Sequence, residues 1–556
     1  MTSLTGHRDP LRSLATPLAW ALIIAIGAGL RLWHIGDQIL IDDEWHALDK
    51  LMWAGYQDIF LSFGVADYSI PLTLLFNLLA ETIGLTEWRM RALPLLGGTA
   101  TIILLPLLLR PWLKRDAQLL FGVLLAISPV LIHFSRYVRP YALTLPLGFI
   151  AVIALWRWWH EGGRGRAVAA WIAIVLAAWL HPLTLLFTGS ALTWFGIAGL
   201  VEFHKRGDAS HLLRLVTLGA TAALATAALI LPPLLADPWA MDVKAGVSQL
   251  ETDTLIRAWE LAAGTAQPAM LAAFSLLAII GAVRLVRRDA LFAGYWSFML
   301  ATAMLAIVLL QPAWIHHALA LVRYTLIAMP MALALAALGT VRLAKRLVSA
   351  LGIGHAATAT VAVGVALVLG LYFNGPLPRV YQGVNQFTNH LRYQFDYDFE
   401  RNPVAARMRT VPVPEAYRRI VREPGQWQLI EAPWHFESTF SPLSEYQRFH
   451  QLPVRIGMIS GLCVDWTHGE TRPDADLNIH LDEFVFLDQV IEKGATEPLF
   501  VVFHRDNPFQ DVQVRTLPDI DACIERFRKA FGEPWHEDDR TIVFRLPVRG
   551  AVPGRP

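Results

Sequence analysis

Long apolar runs separated by short polar breaks fill roughly the first two thirds of the chain, and the pattern then changes character. A bilayer span needs about 20 mostly apolar residues. Runs of that kind lie near 14–33, 93–110, 117–134, 141–158, 167–181, 183–201, 215–235, 268–284, 291–310, 320–340 and 355–373. The pattern therefore predicts a mainly α protein, a polytopic bundle of about eleven transmembrane helices. One more apolar stretch, SIPLTLLFNLLA from Ser69, is short, contains Pro71, Thr73 and Asn77, and runs straight into Glu81. Its length predicts an interfacial or re-entrant segment rather than a span.

The polar breaks set the orientation. Suppose the Ser69 stretch does not cross and the N-terminus is cytoplasmic. RPWLKRD, HEGGRGR, EFHKRGDASHLLR, RLVRRD and RLAKR then face the cytoplasm, each with two or more Arg or Lys, as the positive-inside rule requires. If the stretch crosses, every one of these clusters lands outside. The first topology is predicted, with the N-terminus in and the C-terminus out. It puts 34–92, 135–140, 181–182, 236–267, 311–319 and everything after about 374 on one outer face. The start of the chain has Arg8 and Arg12 before an apolar run but no small-residue cleavage site ahead of residue 42. It reads as a retained first helix rather than a signal peptide.

Beyond Phe373 hydropathy drops. WQLIEAPW, VRIGMIS, LFVVFH and TIVFRLP are short, apolar and rich in β-branched or aromatic residues, which predicts strands. LDEFVFLDQVIEKG and DIDACIERFRKAFGE have helical spacing, the second closing on Gly532. The predicted organisation is a membrane domain over 1–375 with a first outer loop at 34–92, a connector along the membrane surface at 376–409, and a soluble α/β domain over 410–556. That last part has no glycine-rich phosphate loop and no nucleophile elbow, and HEDDR at His536 reads as a solvated turn before the final strand.

Composition agrees. Hydrophobic residues make up 55% and charged residues 17%, against about 25% charged in soluble domains. The 20 tryptophans suit interfacial anchoring. A formal net charge of +1 gives no argument for a nucleic-acid partner. The two cysteines, Cys463 and Cys523, show no CxxC spacing. They could pair if their region is extracytoplasmic, and otherwise are two buried free thiols.

The candidate chemistry lies on the predicted outer face. Asp42, Asp43 and Glu44 follow the first span directly. Such a triplet can be a hydrated helix cap, since Asp is a good cap. Partly desolvated at the mouth of a bundle, it is also a natural general base. Arg89 and Arg91 in EWRMRALP, Arg136 and Arg139 in SRYVRPYAL, and Arg323 in LVRYTLIAMP stand where helices re-enter the membrane. Arginine snorkels well at such places, yet outward arginines run against the positive-inside bias, and the guanidinium is the preferred planar partner of phosphate. Together they suggest an anionic ligand, a phosphate at the membrane surface, beside a base. His181, and His316 with His317, are weaker signals, because a histidine at a helix end is commonly structural. The adjacent pair points in different directions, unlike the i, i+4 spacing of helical metal ligands. No metal site is assigned, although Asp42 and Asp43 could bind a divalent cation.

The Asp43-Glu44 pair after the first span, the proline-led SIPLTLLFNLL, EWRMRALPLLGG, SPVLIHFSRYVRPYAL and RYTLIAMPMALAL resemble, in order and sidedness, the polytopic C-type glycosyltransferases that use lipid-linked sugars. The chain looks most similar to glycosyltransferase family 39, which includes protein O-mannosyltransferases and aminoarabinose transferases, over about 14–375. The resemblance implies a polyprenyl-phosphate sugar as donor, a protein, lipid or glycan acceptor at the outer face of the inner (plasma) membrane, and inversion by single displacement. It carries the base role to Asp43, with Glu44 orienting and Asp42 as the substitute. Phosphate binding falls to Arg91, Arg139 and Arg323, with Arg89, Arg136, Tyr141, His181 and Tyr324 as further candidates. The chain departs from some relatives: Ile70 stands where they place a lysine before the loop proline, and Arg139-Pro140 where they place Asp-Pro. A transporter or flippase is the alternative. Its charges would sit near the midplane, with paired repeats, whereas here they rim the outer face. A mere anchor for the C-terminal domain would leave the outer arginines unexplained.

Overall fold

The computed structural model describes residues 10–33, 44–63, 69–239, 248–352, 356–378, 410–432 and 521–548, with shorter runs between 446 and 505 and a few single positions. The chain forms two compact units. One is built chiefly from Met1–Trp33 and Arg91–Arg379, the other chiefly from His34–Met90 and Asp398–Pro556. Residues 34–90 thus group with the C-terminal part, not with the helices they connect.

In the first unit the predicted spans are helices. Among the described residues, six can cross a bilayer by length and composition: Glu87–Leu108, Tyr141–Glu161, Pro182–Arg206, Ser210–Ala236, Pro268–Arg288 and Ala290–Leu310. Pro10–Leu32, Arg164–Leu180 and Ala356–Phe373 are further apolar helices at predicted spans. The exterior is apolar: Leu224, Leu235 and Leu309 are all more than 70% exposed. Helices apolar all round and turned mostly outward need a hydrocarbon solvent, so this is a multi-pass membrane protein. Tyr141–Glu161 is the exception, with 67% of its apolar window buried against 28–33% for the four long helices that follow it. It is the most buried of the six. Small residues set the closest approach. A Cβ on Gly281 would fall on the Leu335 carbonyl oxygen, and one on Gly339 on that of Leu277. The helices Pro268–Arg288 and Met329–Ala350 therefore touch backbone to backbone, as small-residue interfaces in membranes do.

Two predicted spans are not straight. The 117–134 run breaks into Arg115–Ile127 and Pro129–Arg136, bent by 55°, and the 320–340 run into Ala318–Tyr324 and Met329–Ala350, bent by 88°. Proline causes both. Pro129 cannot donate to the Leu125 carbonyl four residues back, nor Pro330 to that of Leu326. At the second break Met329 N–H turns to Leu326 O instead, at 3.2 Å.

In the second unit, Ile70–Thr82 is a helix of 13 residues. It rises about 20 Å, short of the roughly 30 Å hydrocarbon core, in keeping with a segment that does not cross. In the C-terminal part the described residues form a six-stranded sheet in the order β3-β2-β1-β4-β6-β5. Its strands are β1 (Gln428–Ala432), β2 (Val454–Met458), β3 (Phe484–Phe486), β4 (Leu499–His504), β5 (His536–Glu537) and β6 (Thr541–Leu546). β3, β2, β1 and β4 run parallel, while β6 is antiparallel to β4 and β5 to β6. The helix Asp521–Phe531 packs Ile524 and Phe527 onto one face with Ile430, Val501 and Phe544 and ends at Gly532, φ +83°, where glycine alone is unstrained. The short helix Glu415–Ile420 covers the other face through Tyr417 and Ile420, against Leu429, Phe500 and Val502.

Three expectations change here. LDEFVFLDQVIEKG is not all helix: Phe484–Phe486 pairs in parallel with Ile456–Met458, since Phe-Val-Phe suits a sheet edge better than a helix turn. His536 lies on β5, and the turn after it is built by Asp538, which accepts from the N–H groups of Arg540 and Thr541 at 2.9 and 2.6 Å. Cys523 is disulfide-bonded, which corrects the free-thiol alternative there. Cys463 lies outside the described residues.

Candidate active site

Asp42 and Asp43 fall outside the described residues. Glu44 occupies the N-cap position of the helix Trp45–Trp53, but its φ/ψ of −65°/−27° is helical and its side chain makes no capping bond. It is completely buried. A hydrated cap would be exposed, so that reading does not describe Glu44. Arg89 closes the helix before it, donating to the Ile83 and Gly84 carbonyls at 2.7 and 2.6 Å.

In the first unit, two buried arginines clasp the Pro129 break. Arg31 Nη2 donates to Leu125 O at 3.2 Å and Nη1 to Ala126 O at 3.1 Å. Leu125 O is the acceptor that Pro129 leaves without a helical donor. Arg31 Nε also donates to Ser135 Oγ at 3.0 Å. In return, Arg136 Nη1 donates to Leu30 O and Trp33 O, at 3.3 and 2.6 Å, at the C-terminal end of the first helix. Within a membrane every freed carbonyl needs such a donor. Arg31 was not singled out in the sequence. The signal was a lone cation late in an apolar run, with a proline in the middle of a nearby span.

The clasp holds the turn that carries Arg139 and Tyr141. Tyr141, 2% exposed, opens the helix Tyr141–Glu161. A helix start carries partial positive charge and attracts anions. The Arg139 guanidinium sits 5.9 Å from the Tyr141 ring centre. Arg323 comes from the short helix Ala318–Tyr324 ahead of the 88° bend. Its Nη1 lies 3.4 Å from the Tyr141 hydroxyl and its Nη2 3.4 Å from that of Tyr324, while its guanidinium lies over the Tyr324 ring at 5.2 Å. His181, at the end of Arg164–Leu180, stands 5.6 Å from Tyr141 and 6.5 Å from Tyr324, ring to ring. Tyr141, His181, Thr184, Arg323 and Tyr324 line one pocket, which has no carboxylate among its described lining residues. The Thr184 Oγ1 is buried without a hydrogen-bond partner, a further polar group that the sequence did not flag.

The neighbouring loop is strained. Gln311 and Trp314 have φ of +46° and +63°, the two positive-φ non-glycine residues among those described, a conformation bulky side chains rarely adopt. The Tyr324 hydroxyl holds this loop by donating to Ala313 O at 3.2 Å. Such strain gathers at functional sites. His316 Nδ1 is 2.7 Å from Ser248 Oγ, and His317 is the N-cap residue of Ala318–Tyr324. Arg91 is fully buried in Glu87–Leu108. Among the described residues no group of three His, Cys, Asp or Glu could hold a metal ion.

Of the predicted residues, the structure therefore brings together Arg139, Tyr141, His181, Arg323 and Tyr324, and places Arg89 and Arg136 at helix ends. No family model matches the sequence, and no curated protein matches it. The structure is similar to ArnT from Cupriavidus metallidurans in the apo state, at 15% identity and a TM-score of 0.46, covering 96% of this chain and 98% of that one. The same protein bound to undecaprenyl phosphate gives 13% and 0.42, over 96% and 99%. The archaeal oligosaccharyltransferase AglB from Archaeoglobus fulgidus, in complex with an inhibitory peptide and a dolichol-phosphate, gives 12% and 0.40, over 89% and 70%. Likeness of this order leaves the activity to be argued from the chain's own residues.

Proposed function

We propose that this chain is an inverting membrane glycosyltransferase that moves a sugar from a polyprenyl-phosphate donor to an acceptor hydroxyl on the outer face of the inner membrane. Asp43 takes the acceptor's proton as its oxygen attacks the anomeric carbon. The bond from that carbon to the phosphate oxygen breaks, and the electron pair leaves with the polyprenyl phosphate. One displacement inverts the anomeric centre. Glu44 orients Asp43 or the acceptor, and Asp42 is the substitute base. Arg323, with Tyr141, Tyr324 and His181, receives the departing phosphate, joined by Arg139 and Arg91, while Arg89 and Arg136 hold helix ends.

The observation that carries this reading is the pocket. Three separate stretches of chain bring Arg323, two tyrosines, a histidine and an unpartnered threonine hydroxyl to the start of Tyr141–Glu161, the most buried of the six long apolar helices. Guanidinium and phenol donors are what a phosphate leaving group requires. Removing one such aimed donor typically costs about 10²–10³ in rate. The disulfide at Cys523 supports an extracytoplasmic C-terminal part, because disulfides persist in oxidising compartments.

The test uses purified protein in sealed lipid vesicles, radiolabelled polyprenyl-phosphate hexoses and an envelope extract as acceptor. Transfer by wild type that falls at least about 10²-fold in Asp43→Asn supports the base. Undiminished transfer in Asp43→Asn moves the base to Asp42 or Glu44. Passage of intact donor across the bilayer with no cleavage replaces the transferase by a flippase.

A further inference from the structure

The C-terminal sheet has a feature that the transfer reaction does not use. In the order β3-β2-β1-β4 the chain winds outward from β1 in one direction and then starts again on its other side at β4. In open parallel sheets that reversal leaves a crevice outside the carboxyl ends of the two strands, and ligands bind there. Glu431 is the last residue but one of β1, and His504 is the last of β4. Both belong to the face covered by Tyr417, since they alternate with Ile430 and Phe503 of the opposite core.

Glu431 is a carboxylate at 1% exposure. The Tyr417 hydroxyl donates to both its oxygens at 2.8 Å. His504 Nε2 lies 2.7 Å from Glu431 Oε2 and 3.0 Å from the Tyr417 oxygen. Two donors leave part of the carboxylate's acceptor capacity unused. His450, 4% exposed, stacks on Tyr417 with ring centres 5.1 Å apart and 16° between planes. Its Nδ1 accepts from the Leu452 N–H at 3.0 Å. With Nδ1 an acceptor, a neutral His450 carries its proton on Nε2, and burial keeps it neutral. That Nε2 is buried with no hydrogen-bond partner among the described residues. An orphaned buried donor costs about 1–3 kcal/mol and calls for an explanation. Here it lies one ring away from a carboxylate that can still accept.

We propose that the carboxyl edge of β1 and β4 binds a neutral, hydroxyl-rich ring of the saccharide class, one hydroxyl accepting from His450 Nε2 and donating to Glu431. A hydroxyl does both. An anion would meet the Glu431 charge, and a metal cation would meet the N–H of His450. Tyr417 and His504 are positioning residues that fix the carboxylate, and Tyr446, whose ring lies parallel to that of His504 at 6.0 Å, extends the aromatic wall. The site stands whether or not the membrane unit transfers sugar.

The test is saturation-transfer NMR on the full-length protein in nanodiscs. The probes are methyl α-mannoside, methyl β-glucoside and methyl α-galactoside at millimolar concentration, with glucuronate and glucose 6-phosphate as charged counterparts. The expected result is a signal from at least one neutral glycoside. That signal should fall to background in His450→Phe, which keeps the ring on Tyr417 and removes the N–H, and persist in Arg323→Ala. Thermal midpoints at pH 7.5 check folding. The proposal is overturned by silence from every neutral glycoside on wild type, by an equal signal in folded His450→Phe, or by stronger signals from the charged sugars. Loss in Arg323→Ala also overturns it, by tracing the binding to the membrane pocket. Should His450→Phe fail to fold, the wild-type comparison of neutral against charged sugars still decides.

Discussion

Replacing Arg31 with methionine isolates the cost of a proline-broken span. Methionine keeps the unbranched stem and loses the guanidinium, so little packing changes. Two buried carbonyls, Leu125 O and Ala126 O, then lose the Arg31 donor. At about 1–3 kcal/mol for each buried polar group left unmade, the variant should lose roughly 2–6 kcal/mol. Thermal unfolding in detergent, followed by tryptophan fluorescence, measures this. The reasoning makes a sharper demand in a double-mutant cycle. Pro129→Ala restores an N–H able to reach Leu125 O, so in that background the Arg31→Met loss should shrink by at least about 1 kcal/mol. The same loss in both backgrounds, or under about 1 kcal/mol in wild type, refutes the idea that Arg31 caps the break.

Other consequences are as specific. Gly339→Ala should destabilise the bundle by about 1–3 kcal/mol, because its Cβ would fall on backbone at Leu277 rather than on a yielding side chain; an unchanged unfolding midpoint contradicts that packing. Arg323→Lys should cut transfer by about 10²-fold, since an ammonium cannot reproduce the planar fork between the two tyrosine hydroxyls; a rate within threefold of wild type, ~3 as a working threshold, removes Arg323 from the phosphate site. Burial pushes His450 down to about 4, whereas the unfolded chain titrates near 6.5. Its contribution is therefore complete above pH ~6.5 and is lost as pH falls through ~4, on the order of 3 kcal/mol in all. Unfolding of the C-terminal part between those pH values should show that slope, and His450→Phe should flatten it.

The sequence carried the spans because apolar runs bounded by arginines leave few alternatives in a bilayer. It also carried β1, β2, β4 and β6, where β-branched and aromatic residues cluster. The breaks were less legible. Pro129 and Pro330 sit within runs whose hydropathy stays high, and hydropathy does not register a missing N–H. Phe484–Phe486 read as helix because its parallel partner lies 28 residues earlier, at Ile456–Met458, beyond any local pattern. The arginines predicted on the outer face were visible one by one. Which of them hold helix ends and which face the pocket depended on contacts across the fold, as with Arg136 on Leu30 and Trp33. Tyr417, Glu431, His450 and His504 were invisible for the same reason: each is ordinary in its own segment, and only the sheet order brings them together.

The central claim is that the pocket at Arg323 handles the phosphate of a lipid-linked sugar while the sugar moves to an acceptor. The most direct measurement follows both products at once, free polyprenyl phosphate and glycosylated acceptor, from purified wild-type protein supplied with labelled polyprenyl-phosphate hexose. The account predicts that the two appear together in equal amounts and that both nearly vanish in Arg323→Ala. Donor recovered intact from wild type, or cleaved equally well by Arg323→Ala, contradicts it.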